Sequence, residues 1–172
     1  RLGSNFYPEK PNPQLTISEI FYNGNNALDR SEFIGIYNPS QTLIDLTGYT
    51  LSNAIGFTFP KGSSIEPGKR VFVVKSLTEI PQWASQPNIF VWTEGSLANE
   101  GETIRLSNAS GMVVDQVAYT PGAPWPNVSG TDEKVMSMVS YDLDNHFGDS
   151  WTTKTYEAMV SGIKQPESDG FK

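Results

Sequence analysis

The sequence predicts an all-β protein built as a two-sheet antiparallel β-sandwich of about seven to nine strands. Its apolar runs are short, and Gly, Pro or Asn interrupts them at close intervals. The 172 residues include 15 Gly and 12 Pro, so the chain has many turns and few stretches that could form a helix. This length suits a single domain, because a chain of this size buries about 70% of its unfolded surface.

The first half of the chain contains five short runs that end at turns. The opening run, LTISEIFY, ends at Asn23-Gly24, and EFIGIYN ends at Asn38-Pro39. Proline fixes its own φ near about −65° and keeps the preceding residue out of the helical region, so we expect a stiff turn at Asn38-Pro39. The remaining runs of this half cover residues 43–46, 49–53 and 57–60.

The run at 70–75, RVFVVK, is the most apolar one and predicts a central strand that is covered on both faces. Residues 76–86 have some helical character, but Pro81 limits a helix there to one turn. The run at 88–92, NIFVW, resumes the sheet.

The clearest hairpin covers residues 102–119 and turns at 108–111. Its apolar residues are Ile104 and Leu106 before the turn and Val113, Val117 and Tyr119 after it. The alternation is imperfect, because Val114 is apolar too. Residues 136–142 supply the last predicted strand.

Five blocks occur in this order: EFIGIYNPS, LTGYTLSN, FTFPKGSSIEPGKRVFVV, GSLANEGETIRLSNASGMVVDQVAY and APWP. Together they resemble the lamin tail domain in its bacterial extracytoplasmic form, over residues 15–151. The resemblance implies an immunoglobulin-like fold for the predicted sandwich. One departure is Gly35, where the family usually carries an acidic residue; a glycine within a strand marks a bulge or a close backbone approach.

The sequence divides into three segments. Residues 1–14 contain Pro8, Pro11 and Pro13 among polar neighbours, which predicts an extended linker. The sandwich is predicted over 15–151, and 152–172 form a C-terminal extension whose structure the sequence does not predict. Because the chain starts at Arg1 without an initiator Met or a signal peptide, we expect an upstream segment to have been removed and other domains to be fused. The resemblance implies a secreted or cell-surface location.

Charge argues against nucleic acid as a partner. Nineteen acidic and twelve basic side chains give a net charge of −7, which repels phosphate backbones. Lamin tail domains of eukaryotes are linked to chromatin, so the resemblance alone suggests DNA. The basic residues are scattered apart from Lys69-Arg70, which we interpret as solvated charge in a turn. We expect no membrane insertion, because no apolar run approaches the roughly 18 residues of a membrane span.

The single histidine, His146, lies in the acidic loop DLDNHFGDSW, which invites a metal-site interpretation. Asp142, Asp144, Asn145 and Asp149 could offer oxygen ligands to calcium. The spacing does not fit an EF-hand loop, which needs glycine where Phe147 stands and glutamate where Thr153 stands. A solvated loop is therefore favoured, a cation site stays open as an alternative, and we assign no metal, cofactor-binding or catalytic residue.

A hydrolase is the remaining alternative. Glu19, Glu32 and Glu102 could pair as catalytic carboxylates, although their positions in strands favour edge or face residues. Tryptophans could stack on sugars, but this residue is mostly buried on average, so a core or core-edge role is expected for Trp83, Trp92, Trp125 and Trp151. Trp125, between prolines, is predicted to close one end of the sandwich as a buried plug whose removal costs about 3–5 kcal/mol.

These observations predict a non-catalytic binding or anchoring module of a larger protein, with a protein or a glycan as its partner and without a cofactor. A calcium-dependent carbohydrate-binding module is the alternative that the loop at 142–149 leaves open.

Overall fold

The computed structural model describes residues 15–24, 28, 30–128, 130–131 and 133–163, and within them the chain forms an immunoglobulin-like β-sandwich. The strands are β1 (Thr16–Phe21), β2 (Phe33–Tyr37), β3 (Ile44–Asp45), β4 (Thr50–Asn53), β5 (Ile55–Thr58), β6 (Ser64–Ile65), β7 (Arg70–Val74), β8 (Ile89–Val91), β9 (Glu94–Gly95), β10 (Glu102–Ser107), β11 (Val113–Tyr119), β12 (Lys134–Met138) and β13 (Trp151–Thr155). One helix, α1 (Tyr156–Ile163), follows β13.

Two main sheets face each other. One has the order β13-β12-β1-β2-β7-β8 and the other the order β11-β10-β4-β5-β9, while β3 pairs with β6. Within the described residues all strand pairs are antiparallel except β7 with β8. The all-β prediction and its sandwich architecture are confirmed. The thirteen described strands exceed the predicted seven to nine, in part because three of them, β3, β6 and β9, are only two residues long.

The inner core lies between the two sheets. It is built from alternate strand residues, such as Ile17 and Ile36 on one sheet and Leu51, Ile104 and Val117 on the other. The predicted hairpin is present as β10 and β11, but its register shifts between Leu106 and Ser107. This irregularity turns Val113 outward, so its side chain is 53% exposed instead of joining the core.

A second apolar cluster covers the outer face of the six-stranded sheet. The sheet contributes Phe21, Phe33, Phe72, Val74 and Val135, and the covering side chains are Ile80, Trp83, Tyr156, Met159 and Val160. Two short 3-10 helices, Leu77–Glu79 and Pro81–Trp83, carry Trp83 onto this face. The prediction of a central strand with two covered faces is confirmed, since β7 alternates between the two clusters.

The C-terminal part of the described chain belongs to the same layers. β13 pairs with β12 from Trp151 to Thr155, and α1 packs through Tyr156 and Met159 onto the outer face. Residues 1–14 and 164–172 lie outside the described residues, and the division of the chain at 14 and 151 stays a prediction. No described helix has the length and apolar character of a membrane span.

Three of the four tryptophans are buried, and the fourth differs from the prediction. Trp83, Trp92 and Trp151 are each at most 5% exposed. Trp125 is only half buried, and its ring lies 6.0 Å from that of Trp151. The core-edge role expected for Trp125 is present, since it packs against the core beside Trp151, but the buried plug is only partly covered.

Because Trp125 keeps part of its ring in solvent, Trp125→Ala is expected to lower the free energy of unfolding by about 1–2 kcal/mol, roughly half of what a fully buried aromatic contributes. Urea denaturation of both proteins measures this difference. A loss of about 3 kcal/mol or more would restore the buried-plug interpretation.

Candidate functional site

Glu19 is a buried acid in the middle of the six-stranded sheet. It lies on β1, an inner strand, and is 0% exposed, so of the two predicted positions, edge or face, it takes the face, and that face is buried. Its Oε2 accepts hydrogen bonds from Nη1 of Arg70 at 2.8 Å and from the hydroxyl of Tyr141 at 2.9 Å, while Ser18 Oγ donates to Oε1. A buried carboxylate requires such partners, because desolvation otherwise opposes its charge.

Gly35 explains how the sheet accommodates this carboxylate. Gly35 lies opposite Glu19 in the pairing of β1 with β2. A Cβ atom at position 35 would stand 2.4 Å from Glu19 Oε1 and 2.8 Å from Cε2 of Phe72. The glycine thus provides the close approach that its place in the strand predicted. The acid that the resemblance leads one to expect on β2 is supplied here by the neighbouring strand.

Arg70 lies on the same face of the six-stranded sheet as Glu19, and most of its side chain is covered. Its side chain is 26% exposed, and the guanidinium carbon lies 5.3 Å from the ring centre of Phe72 and 6.0 Å from that of Tyr141. The interpretation of Lys69-Arg70 as solvated charge is right for the exposed Lys69 and wrong for Arg70. Burial, together with the charge of Glu19, raises the pKa of the Tyr141 hydroxyl, so this group stays a hydrogen-bond donor to the carboxylate.

Asn38 fixes the turn that presents Lys69. The side-chain amide of Asn38 donates to the carbonyls of Thr42 and Ile65 at 2.8 and 3.0 Å, and its Oδ1 accepts from the backbone and the hydroxyl of Ser40. The backbone of Asn38 exchanges hydrogen bonds with Gly68 and Lys69. The stiff turn predicted at Asn38-Pro39 is present, and it holds two neighbouring loops together.

Two adjoining concavities of about 330 and 310 Å³ meet at Lys69, Arg70 and Asn88. We name this surface the Arg70 cleft and define it by Tyr37, Glu66, Lys69, Arg70, Asn88 and Tyr141. The rings of Tyr37 and Tyr141 lie 4.2 Å apart and are half buried. Asn88 donates from Nδ2 to the carbonyl of Arg70 at 2.9 Å, which fixes its own side chain. The cleft gathers donors, acceptors and aromatic surface within a few residues.

The polar side chains of the acidic loop at 142–149 bind one another and the nearby backbone. Asp142 accepts from the hydroxyl of Ser140, and Oδ1 of Asp144 accepts from the backbone of His146 and lies 2.7 Å from its Nδ1. Asn145 is buried, while Asp149 is exposed. Across the described ranges, no group of three or more His, Asp or Glu side chains is placed to hold a metal ion.

Asp115 is a buried carboxylate that the sequence analysis missed. Its Oδ2 accepts from the backbone nitrogen of Ile17 and from Nδ2 of Asn145, both at 2.7 Å. The side-chain amide of Asn145 also donates to the backbone carbonyl of Ile17, and the backbone carbonyl of Asn145 accepts a hydrogen bond from the indole of Trp151. These bonds fasten the acidic loop and β11 to β1. The alternation of β11 was the signal, since Asp115 shares the inward-facing positions of Val117 and Tyr119.

Glu32 and Glu102 lie near each other, but each carboxylate accepts a hydrogen bond from the backbone of the same loop and so fixes that loop. Glu32 Oε1 accepts from the backbone nitrogen of Leu97 at 2.9 Å, and Glu102 Oε2 accepts from that of Ala98 at 2.6 Å. The hydroxyl of Tyr119 donates to the carbonyl of Ala98 at 2.7 Å. Burial raises the pKa of Glu32 above its ordinary value of 4.5, and the charge of Glu102 adds to this, while the bond from Leu97 works against it.

The raised pKa of Glu32 predicts a pH dependence of stability. The folded protein binds the proton of this carboxyl more tightly than the unfolded chain does, so the contribution favours folding in acid. It is lost as the pH rises from about 4.5 through the raised pKa. Glu32→Gln keeps an oxygen for Leu97 and removes the titration. Relative to the wild type, the variant is expected to gain stability as the pH rises from about 4.5 through the raised pKa of Glu32.

Urea denaturation at several pH values measures this gain, and Glu100→Gln, at an exposed carboxylate, is the matched control. The prediction would be contradicted if the difference in the free energy of unfolding between Glu32→Gln and the wild type stayed constant with pH. It would also be contradicted if that difference favoured the wild type at higher pH.

Comparison with known proteins adds one finding. Residues 8–121, more than half of the chain, match the family model of the lamin tail domain. The match begins before the blocks noted in the sequence, and it ends just after the β10–β11 hairpin. No curated protein matches the chain.

Proposed function

Because the chain belongs to the lamin tail domain family, we propose that it is a non-catalytic module that binds a protein or a glycan and anchors a larger protein to it. One observation carries this proposal: each carboxylate considered for hydrolysis is engaged in holding the fold. Glu19 is buried against Arg70, while Glu32 and Glu102 accept backbone hydrogen bonds from one loop. Catalytic carboxylates need access to a substrate and a water molecule.

The histidine supports the same proposal. His146 pairs with Asp144 at the surface, with 54% of its side chain exposed. No serine or threonine hydroxyl of the described chain donates a hydrogen bond to the ring of His146. A base without a nucleophile in reach does not support acyl transfer.

Charge supports a partner other than nucleic acid. The positive charge of Arg70 is offset by Glu19 in a direct ion pair, and Glu66 stands in the same turn as Lys69. Phosphate-backbone binding needs several uncompensated Lys and Arg side chains, and the net charge of the chain is −7.

A mobility-shift assay with duplex DNA at low salt tests this part of the proposal. No shift is expected at micromolar protein, because the cleft lacks a net positive charge. Micromolar binding that weakens steeply with added salt would overturn it.

A combined array of glycans and peptides tests the binding function itself. We expect retention of at least one class of partner without any chemical change to it, as mass spectrometry of the eluted ligand measures. Cleavage of the retained ligand would show that the chain is an enzyme and would contradict the proposal of a non-catalytic module. Repeating the array with calcium and with a chelator separates the proposal from a calcium-dependent module, which draws no support from the internal hydrogen bonds of the loop at 142–149.

The proposed location is secreted or on the cell surface, with other domains fused to this one. The support is the resemblance of the sequence blocks to bacterial extracytoplasmic members of the family. Cell fractionation with an antibody against the domain checks it, and recovery in the cytoplasmic fraction alone would contradict it.

A further inference from the structure

We propose that the Arg70 cleft binds a neutral carbohydrate chain without the help of a metal ion. This inference rests on the proposed function, because it names the ligand class and the surface of a binding module. Its support comes from the chemistry of the cleft side chains, from their charge balance and from the way in which the fold holds them.

The cleft offers both hydrogen-bond donors and acceptors. Lys69 and the N–H groups of Arg70 that do not face Glu19 donate, while the exposed carboxylate of Glu66 and the Oδ1 of Asn88 accept. The hydroxyl of Tyr37 can do either. A sugar hydroxyl is at once a donor and an acceptor, so neighbouring hydroxyls on a ring require this mixture. A carboxylate or phosphate ligand would use the donors alone.

The charges of the cleft favour a neutral ligand. Arg70 is paired with Glu19 at 2.8 Å, and Lys69 and Glu66, which carry opposite charges, line the same concavity. An anion placed beside Arg70 would also meet the buried charge of Glu19, and like charges at short distance repel. A polyhydroxylated ligand forms hydrogen bonds here without adding a charge to the site.

Aromatic surface completes the recognition of a sugar ring. Tyr37 and Tyr141 form a close pair, and both residues are partly exposed. The C–H face of a pyranose is apolar, and an aromatic side chain can cover it at a low cost in conformational entropy. The tryptophans do not serve this role in the cleft, since the three described as buried lie in the two cores.

The fold holds Arg70, Asn88 and the backbone of the turn at Lys69 in place before a ligand arrives. Glu19 fixes Arg70, Arg70 lies over Phe72 and Tyr141, and Asn38 fixes the turn that carries Lys69. A rigid site loses little conformational freedom on binding. Each of the adjoining concavities, at about 330 and 310 Å³, lies at the lower end of the usual size of ligand sites, so together they suit successive rings of a chain.

The test is a glycan array probed in the presence of a chelator, followed by calorimetry with the neutral oligosaccharide that the array retains best. Tyr37→Ala and Lys69→Ala are each expected to weaken its binding by about tenfold or more. Tyr37→Phe, which keeps the ring, is expected to stay within about threefold of the wild type. Lys154→Ala, an exposed lysine on β13 at the opposite edge of the sheet, is the matched control and should bind as the wild type does.

Three results would overturn the inference while the binding function stands. They are retention of peptides without any neutral glycan, retention that needs calcium, and glycan binding that Tyr37→Ala and Lys69→Ala leave unchanged. Tetragalacturonate binding more tightly than every neutral chain would overturn the ligand class. Melting curves of each variant show that it is folded, so a loss of binding reports on the cleft.

Discussion

Gly35→Glu is expected to lower the free energy of unfolding by about 4 kcal/mol or more. A Cβ atom at this position already stands 2.4 Å from the Glu19 carboxylate and 2.8 Å from Phe72. The variant would also bury a second negative charge beside the first, with only Arg70 to compensate both. Thermal and urea denaturation of the purified variant measure the loss.

Exchanging the two residues distinguishes this explanation from simple overcrowding. In Glu19→Gly/Gly35→Glu, one acid remains on the same face of the sheet and can reach Arg70 from β2 instead of β1. This double variant is expected to recover at least half of the stability that Gly35→Glu loses, because its single acid regains a cationic partner. Losses that simply add in the double variant would show that Glu19 does not substitute for an acid on β2.

Trp83→Ala is expected to lower the free energy of unfolding by about 3–5 kcal/mol, as the removal of a fully buried tryptophan does. Trp83 is 0% exposed, and its ring lies 5.1 Å from that of Phe33 and 4.9 Å from that of Phe72. Its indole nitrogen donates to the carbonyl of Val160 at 3.1 Å, so it joins α1 to the outer face of the sheet. Urea denaturation measures the cost.

Trp83→Phe keeps part of the packing and removes the hydrogen bond. It retains an aromatic ring beside Phe33 and Phe72 but loses the donor to Val160 and part of the ring volume, so we expect a cost of about 1–2 kcal/mol. A cost of less than about 1 kcal/mol for Trp83→Ala would contradict the account of a second core on the outer face.

The sandwich could be predicted from the sequence because its signals are local. Asn38-Pro39 predicted a turn, RVFVVK predicted a central strand, and the residues of 102–119 predicted a hairpin; all three are present. Each depends on backbone preferences within a few residues or on the period of the apolar positions. The outward turn of Val113 was missed, because the irregularity beside Ser107 depends on pairing across the hairpin.

The polar parts of the fold could not be predicted, because their partners are distant in sequence. Glu19 is 51 residues from Arg70 and 122 from Tyr141, and Asp115 is 98 from Ile17. A single acid in a strand carries no sign of whether such a partner exists. Gly35 was the one local indication, since a glycine in a strand implies close approach, but it did not name the side chain that fills the space.

The Arg70 cleft was missed for the same reason. From sequence, Lys69-Arg70 resembles any charged turn. Its character comes from Tyr37 and Tyr141, which the sheet brings together from positions 104 residues apart, and from Asn88 on the segment that leads into β8. The loop around His146 drew attention instead, because clustered acids and a histidine are visible in the sequence. Its polar groups bind one another and the core.

Mapping of backbone amide shifts by nuclear magnetic resonance tests the central claim most directly, since it locates the binding surface without altering the protein. The isotope-labelled domain is titrated with the neutral oligosaccharide selected on the array, first in chelator and then with calcium. We predict that the amides of Lys69, Arg70 and Asn88 shift in both conditions and that those of 142–149 do not. Shifts confined to 142–149, or seen only with calcium, would contradict the assignment of the cleft.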